Sequence, residues 1–210
     1  MNNIFNGNAM TVARTAPFDD LRVFFPRLLR LSFGFLVSLL VTLLAASPAW
    51  AQLKPGQTAP LFKTPAALAG KAFEFDLKGA LKNGPVIVYF YPRAFTSGCT
   101  IEAQTFAESI DAFKAQKATV VGVSGDDLET LKKFSEGPCG GKFAVASDKS
   151  GRIMNDYDAA LKVFPGMANR ISYVISPDGK VVDVFESLSP VDHVKRTLGS
   201  VTAWQAAQPK

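Results

Sequence analysis

Apolar and polar positions change period several times between residues 71 and 204, and each change marks an element. Val86-Ile87-Val88-Tyr89-Phe90-Tyr91 is an unbroken run of β-branched and aromatic residues closed by Pro92, the pattern of a strand covered on both faces. From about Ser97 to Gln116, Ile101, Phe106, Ile110 and Phe113 recur at helical spacing. Thr119 to Val123 predicts a second buried strand, Asp126 to Glu136 a helix capped by Asp126, and Phe143 to Ala146 a short strand. Asp148 to Tyr157 reads as a helix start. Arg170 to Ile175 and Val181 to Phe185 flank the turn Pro177-Asp178-Gly179 as a hairpin, and Pro190 to Trp204 is an amphipathic closing helix. Ahead of these lie a Pro/Gly-rich lead-in from Lys54 to Pro65, an alternating segment from Lys71 to Leu77 that suits an edge hairpin, and the turn Asn83-Gly84-Pro85.

Strand, helix, strand, helix, then a hairpin and a last helix predict an α/β fold of thioredoxin-like architecture. A mixed central sheet is flanked by helices on both faces. There is no internal repeat and no low-complexity linker.

Composition agrees with a globular domain: of 210 residues, 48% are apolar and 20% charged. The front departs from it. Leu31 to Ala46 is an uncharged stretch of 16 residues preceded by Arg22, Arg27 and Arg30, the charge order of a secretory signal. Ser47-Pro48-Ala49-Trp50-Ala51 then supplies a small-x-small cleavage pattern, so residues 1–51 are expected to be a signal peptide and residues 52–210 the mature domain. The competing reading is an uncleaved anchor, but a spanning helix needs about 20 apolar residues and Pro48 interrupts this one. Met10 is an alternative start, and no Arg-Arg pair precedes the apolar run, which favours general secretion over twin-Arg export. The expected location is periplasmic or secreted, in a bacterium, with no membrane contact after cleavage.

Leaving out the four Arg and two Asp of residues 1–51 lowers the net charge from +5 to +3. What remains is spread along the chain with no basic block, which argues against nucleic acid as a partner. The lone His193 has no Cys or His neighbour at ligand spacing, so no metal site and no cofactor are expected.

Two cysteines in an exported chain are either a structural bridge or chemistry. Cys99 falls where the central strand passes into the helix, and the free N–H groups and dipole of a helix N-terminus favour a thiolate. That predicts a reactive thiol, against the alternative of a buried Cys acting as a small hydrophobe. There is no CxxC, which argues against a disulfide oxidoreductase of the thioredoxin kind.

Pro92, Thr96 and Cys99 stand as PxxxTxxC within YFYPRAFTSGCTIEA. With the strand before it, the helix after it, Gly98-Cys99-Thr100 and Glu102, this run resembles the peroxiredoxins, and within them the bacterioferritin-comigratory or peroxiredoxin Q branch. The likeness extends from about Pro55 to Leu198. It implies a thiol peroxidase acting on hydrogen peroxide and organic hydroperoxides, with Cys99 as the peroxidatic residue. Thr96 would exchange hydrogen bonds with the peroxide and Pro92 would shield the pocket. The family Arg at the start of a late strand matches Arg170, and the Glu that orients it matches Glu102, which alone would be an ordinary first-turn carboxylate. Many members of the branch carry a resolving Cys five residues after the first, where this chain has Gln104. Cys139, in Gly137-Pro138-Cys139-Gly140-Gly141, is the remaining candidate, against a free or permanently bridged Cys. The resemblance also implies a thioredoxin-like or other dithiol reductant as partner and a monomer or weak dimer. Phe164-Pro165-Gly166-Met167 is either an apolar rim or, preferably, a loop plug. The rival to the enzyme is a non-enzymatic thioredoxin-like domain stapled by a Cys99–Cys139 bridge, or else a one-Cys peroxidase.

Overall fold

The computed structural model describes residues 52–208; the expected signal peptide lies outside them. Seven strands form one mixed sheet, β1 (Lys63–Leu68), β2 (Lys71–Asp76), β3 (Val86–Phe90), β4 (Thr119–Ser124), β5 (Ala144–Ser147), β6 (Ile171–Ile175) and β7 (Val181–Glu186), in the order β2-β1-β5-β4-β3-β6-β7. The three central strands β3, β4 and β5 run parallel, and the flanking ones are antiparallel. Five helices join them: α1 (Leu77–Leu81), α2 (Ser97–Ala115), α3 (Leu128–Glu136), α4 (Arg152–Asp156) and α5 (Pro190–Ala206). None of the helices in the described residues is long and apolar enough to cross a membrane.

All five residues of β3 are buried because both faces of the sheet are covered. Its side chains alternate between two cores. Val86, Val88 and Phe90 point to the core that takes Leu77 and Leu81 of α1 and Ile153 and Met154 of α4. Ile87 and Tyr89, with Tyr91 just beyond, point to the core that takes Ala103, Phe106, Ile110 and Phe113 of α2, Leu131 and Phe134 of α3 and Val194 and Val201 of α5.

Three boundaries differ from the expectation. The lead-in already contains β1, whose Pro65 and two alanines conceal a strand that pairs with β2 on one side and β5 on the other. The α3 cap is Asp127, whose carboxylate accepts the Thr130 N–H at 2.8 Å, and not Asp126. Asp148 belongs to the turn before α4, where its carboxylate takes the Met154 N–H at 2.7 Å and Gly151 makes the left-handed entry at φ 72°.

Candidate active site

The register of the sheet assembles one end of the molecule. Parallel pairing of Phe90 with Val123 brings the ends of β3 and β4 together, and antiparallel pairing of Phe90 with Ile171 lays the start of β6 beside them. Residues just past β3, just past β4 and just before β6 therefore meet, although they lie far apart in sequence. Cys99, Asp126 and Arg170 are three such residues.

Cys99 is the third residue of α2 and only 2% exposed. The Thr100 N–H reaches the Thr96 carbonyl at 2.8 Å, so the N–H groups of Ser97, Gly98 and Cys99 stand ahead of the helical ladder. Cys99 thus lies in the first turn, at the positive end of a 19-residue helix. Arg170 adds a full charge: its Nη2 donates to Cys99 Sγ at 3.4 Å. A side chain at Gly98 would crowd that guanidinium, because a Cβ there would lie 3.0 Å from Nη2.

Arg170 is itself oriented from behind. Its Nη1 donates to Glu102 Oε2 in an ion pair that is almost fully buried. Burial works against the Arg170 charge, but Glu102 and Cys99 outweigh it and hold the guanidinium above its ordinary range. Burial also pushes the Glu102 carboxyl up to about 8, with Arg170 pulling the other way. Its second oxygen, Oε1, is buried without a hydrogen-bond partner among the described residues, and His193 Nδ1 lies 3.8 Å from it.

His193 is completely buried, and its hydrogen bonds set its tautomer. Nε2 faces the Ser187 carbonyl at 2.9 Å and must donate, so Nδ1 accepts from the Ser172 hydroxyl at 2.8 Å. Burial, aided by the Arg170 charge, holds the imidazole below its ordinary range despite the Ser187 bond. Sequence reasoning set this residue aside because it has no neighbour at ligand spacing. Only the packing of α5 against α2 and β6 places it behind Glu102.

Thr96 is the N-cap residue of α2, and its hydroxyl donates to the Arg93 carbonyl at 3.0 Å. That commits its one proton, and its lone pairs are what it can offer a ligand. Pro92 is half-buried at the head of the loop from 92 to 96. Asp126, misread as a helix cap, turns toward that loop and accepts the Ala94 N–H at 2.7 Å and the Ser124 hydroxyl at 2.8 Å. Nothing local in the sequence signals this bond, which spans 32 residues. The Phe164 loop is not a plug: the Gly166 carbonyl closes on Gly125, leaving no room for a Cβ, while the Phe164 ring stays 57% exposed.

Cys139 is free, as is Cys99, and both belong to the same apolar core beneath α2 and α3. Cys139 is fully buried in the turn after α3, with its N–H on the Phe134 carbonyl at 3.1 Å. Burial drives its thiol far above the ordinary range, so it is no nucleophile where it lies. The structure thus brings Cys99, Arg170 and Glu102 into one bonded chain, with Thr96 and Pro92 on the loop that leads into it, and sets Cys139 in the same apolar core but outside that chain, in the turn after α3.

Comparison with known proteins gives the family and the fold. Residues 55–184 match the AhpC/TSA family. The chain is 32% identical over 146 residues to peroxiredoxin Bcp of Escherichia coli K12, a match covering 67% of this chain and 90% of that protein. It is 33% identical over 150 residues to the chloroplastic peroxiredoxin Q of Populus jackii, covering 71% of this chain and 68% of that one. Its fold is similar to the crystal structure of the peroxidoxin BcpB of Mycobacterium tuberculosis, with a TM-score of 0.67 and 28% identity over 75% of this chain and all of that one.

Proposed function

The chain belongs to the AhpC/TSA family and is a peroxiredoxin, a thiol-dependent peroxidase, and on that premise we propose the roles of its residues. Cys99 is the peroxidatic residue. The observation that carries this is the Arg170 Nη2 contact at 3.4 Å to a sulfur that also stands at a helix N-terminus. The thiolate attacks the nearer peroxide oxygen, an S–O bond forms as the O–O bond breaks, and the leaving oxygen departs as an alkoxide or hydroxide that takes up a proton. Arg170 and the N–H groups of Gly98 and Cys99 meet the charge that develops on the oxygens. Thr96, its proton held by Arg93, accepts from the peroxide O–H. Glu102 fixes the guanidinium, and Pro92 shields the site at the head of the loop.

The product sulfenic acid is resolved by Cys139. Its thiolate attacks the Cys99 sulfur and releases the sulfenic oxygen as water, leaving a disulfide that a thioredoxin-like dithiol reduces by exchange. Both segments must move first, because Cys139 is buried as a thiol and Cys99 is pinned by its donors. Export to the periplasm or outside is supported by the sequence, in which Leu31 to Ala46 follows three arginines and leads into the Ser47 to Ala51 cleavage pattern. Hydrogen peroxide and organic hydroperoxides are its substrates.

Steady peroxide consumption with dithiol reductants tests the assignment. The protein should turn over with at least one thioredoxin-like reductant and Cys99→Ser should show none. Turnover by Cys99→Ser would refute the role of Cys99.

A further inference from the structure

The loop from Pro92 to Thr96 sets the direction in which α2 begins, and two contacts from the β4–α3 side hold it. The first is polar. Ala94 is 6% exposed, and its N–H goes to Asp126 Oδ2 at 2.7 Å, a bond strengthened by the carboxylate charge. Asp126 is in turn fixed by the Ser124 hydroxyl on the same oxygen at 2.8 Å and by the Ser147 hydroxyl, which donates to its carbonyl at 2.6 Å. The second contact is aromatic. Phe95 takes φ 64°, a left-handed conformation that a bulky residue adopts only when its surroundings impose it. Its ring stands edge-on to Phe134 of α3 at 5.1 Å, and Phe134 also stacks on Tyr91 at 5.6 Å. Five residues after Phe134, the chain reaches Cys139.

We propose that Asp126 is a positioning residue of the peroxide site: its carboxylate clamps the Ala94 N–H, holds the Pro92–Thr96 loop in the form that presents Cys99, and lets go when α2 unwinds toward Cys139. Asp126 touches neither Cys99 nor Arg170 in the hydrogen-bonding of the site. It acts through the loop. Removing the carboxylate leaves the Ala94 N–H buried and unpaired in the folded loop but hydrated in the unwound one, so the balance moves toward the unwound form. The two chemical steps need opposite forms. Attack on peroxide uses the folded loop, whereas disulfide formation, in which the Cys99 sulfenic acid and the Cys139 thiol combine with loss of water, uses the unwound one. The clamp therefore speeds the first step and slows the second.

The gating half of the proposal rests on Cys139 as the resolving residue, and the test separates the two. Stopped-flow oxidation is measured in a Cys139→Ser background, where only the first step occurs, with and without Asp126→Ala. Disulfide formation is then followed in the two-Cys protein by quenching and mass analysis. Asp126→Ala should slow oxidation of Cys99 about tenfold and speed disulfide formation about tenfold, with less over-oxidation at high peroxide. Asp126→Asn, which keeps a neutral acceptor, should fall between and serves if the alanine variant folds poorly. A general loss of structure would lower both rates, so parallel changes, or none, overturn the proposal. A wild-type protein that forms no Cys99–Cys139 disulfide would refute the resolving role and with it the gating half. The positioning half then stands or falls on the Cys139→Ser arm.

Discussion

At the residue scale, the distance from Arg170 Nη2 to Cys99 Sγ is the quantity on which the proposed chemistry turns, and Gly98 guards it. A Cβ at Gly98 would come 3.0 Å from Nη2, so Gly98→Ala should push the guanidinium off the sulfur. Alanine is at least as good as glycine in a helix, so the variant should keep its stability while its peroxide step slows about tenfold or more. Equal loss of stability and rate in denaturant and stopped-flow experiments would show that Gly98 matters only to the fold. Glu102 makes a second prediction, on pH. Its carboxyl is raised by burial from 4.5 to about 8, so the folded protein retains a proton that the unfolded chain has released. This contribution is complete below pH 4.5 and is lost as the pH rises through about 8. His193 runs the other way: held below its ordinary 6.5, it adds stability that is present above that value and lost as the pH falls. Between 6.5 and 8, then, stability of the reduced protein should fall with rising pH relative to Glu102→Gln. Parallel pH curves for the two proteins would contradict it.

At the scale of elements, the proposed cycle gives the first turn of α2 two jobs that conflict: it must be formed to activate Cys99 and open to let Cys139 reach it. On oxidation, the amides near Thr100 and in the turn around Cys139 should therefore exchange faster, while those of β3 and β4 stay protected. Unchanged exchange at Thr100 would mean that the bridge forms without unwinding. The conflict is only half legible in sequence. The continuous apolar run of β3, Pro92 at its end and the helical spacing after Ser97 identify the strand–helix junction, and the Arg at the head of β6 is recognisable from the family pattern. The register that lays β6 beside β3 is not visible in any single stretch. Nor are the contacts that run across it: Asp126 to Ala94 spans 32 residues and the Ser172–His193 pair 21, and no periodicity carries them. Asp126 and Asp127 are neighbours and equally good caps by composition, so local rules pick the wrong one. The strand β1 was hidden for a different reason, since Pro65 and Ala66-Ala67 lack the β-branched signature that pairing on both sides makes unnecessary.

At the scale of the whole molecule, the two free cysteines decide between a staple and a catalytic cycle. A bridge that closes about 40 residues stabilises a chain by ~4 kcal/mol when the native state accepts it without strain. In the proposed cycle Cys139 leaves a fully buried site and Cys99 leaves Arg170, so oxidation should raise the unfolding free energy by clearly less than that figure, or lower it. A full gain would mark a structural bridge. The most direct test of the central claim is a peroxide titration of the reduced protein with the products mapped by mass. The wild type should consume one equivalent of peroxide and yield a Cys99–Cys139 disulfide, Cys139→Ser should consume one equivalent and hold a sulfenic acid at Cys99, and Cys99→Ser should consume none. Peroxide consumption by Cys99→Ser, or a sulfenic acid that appears first on Cys139, would contradict the account.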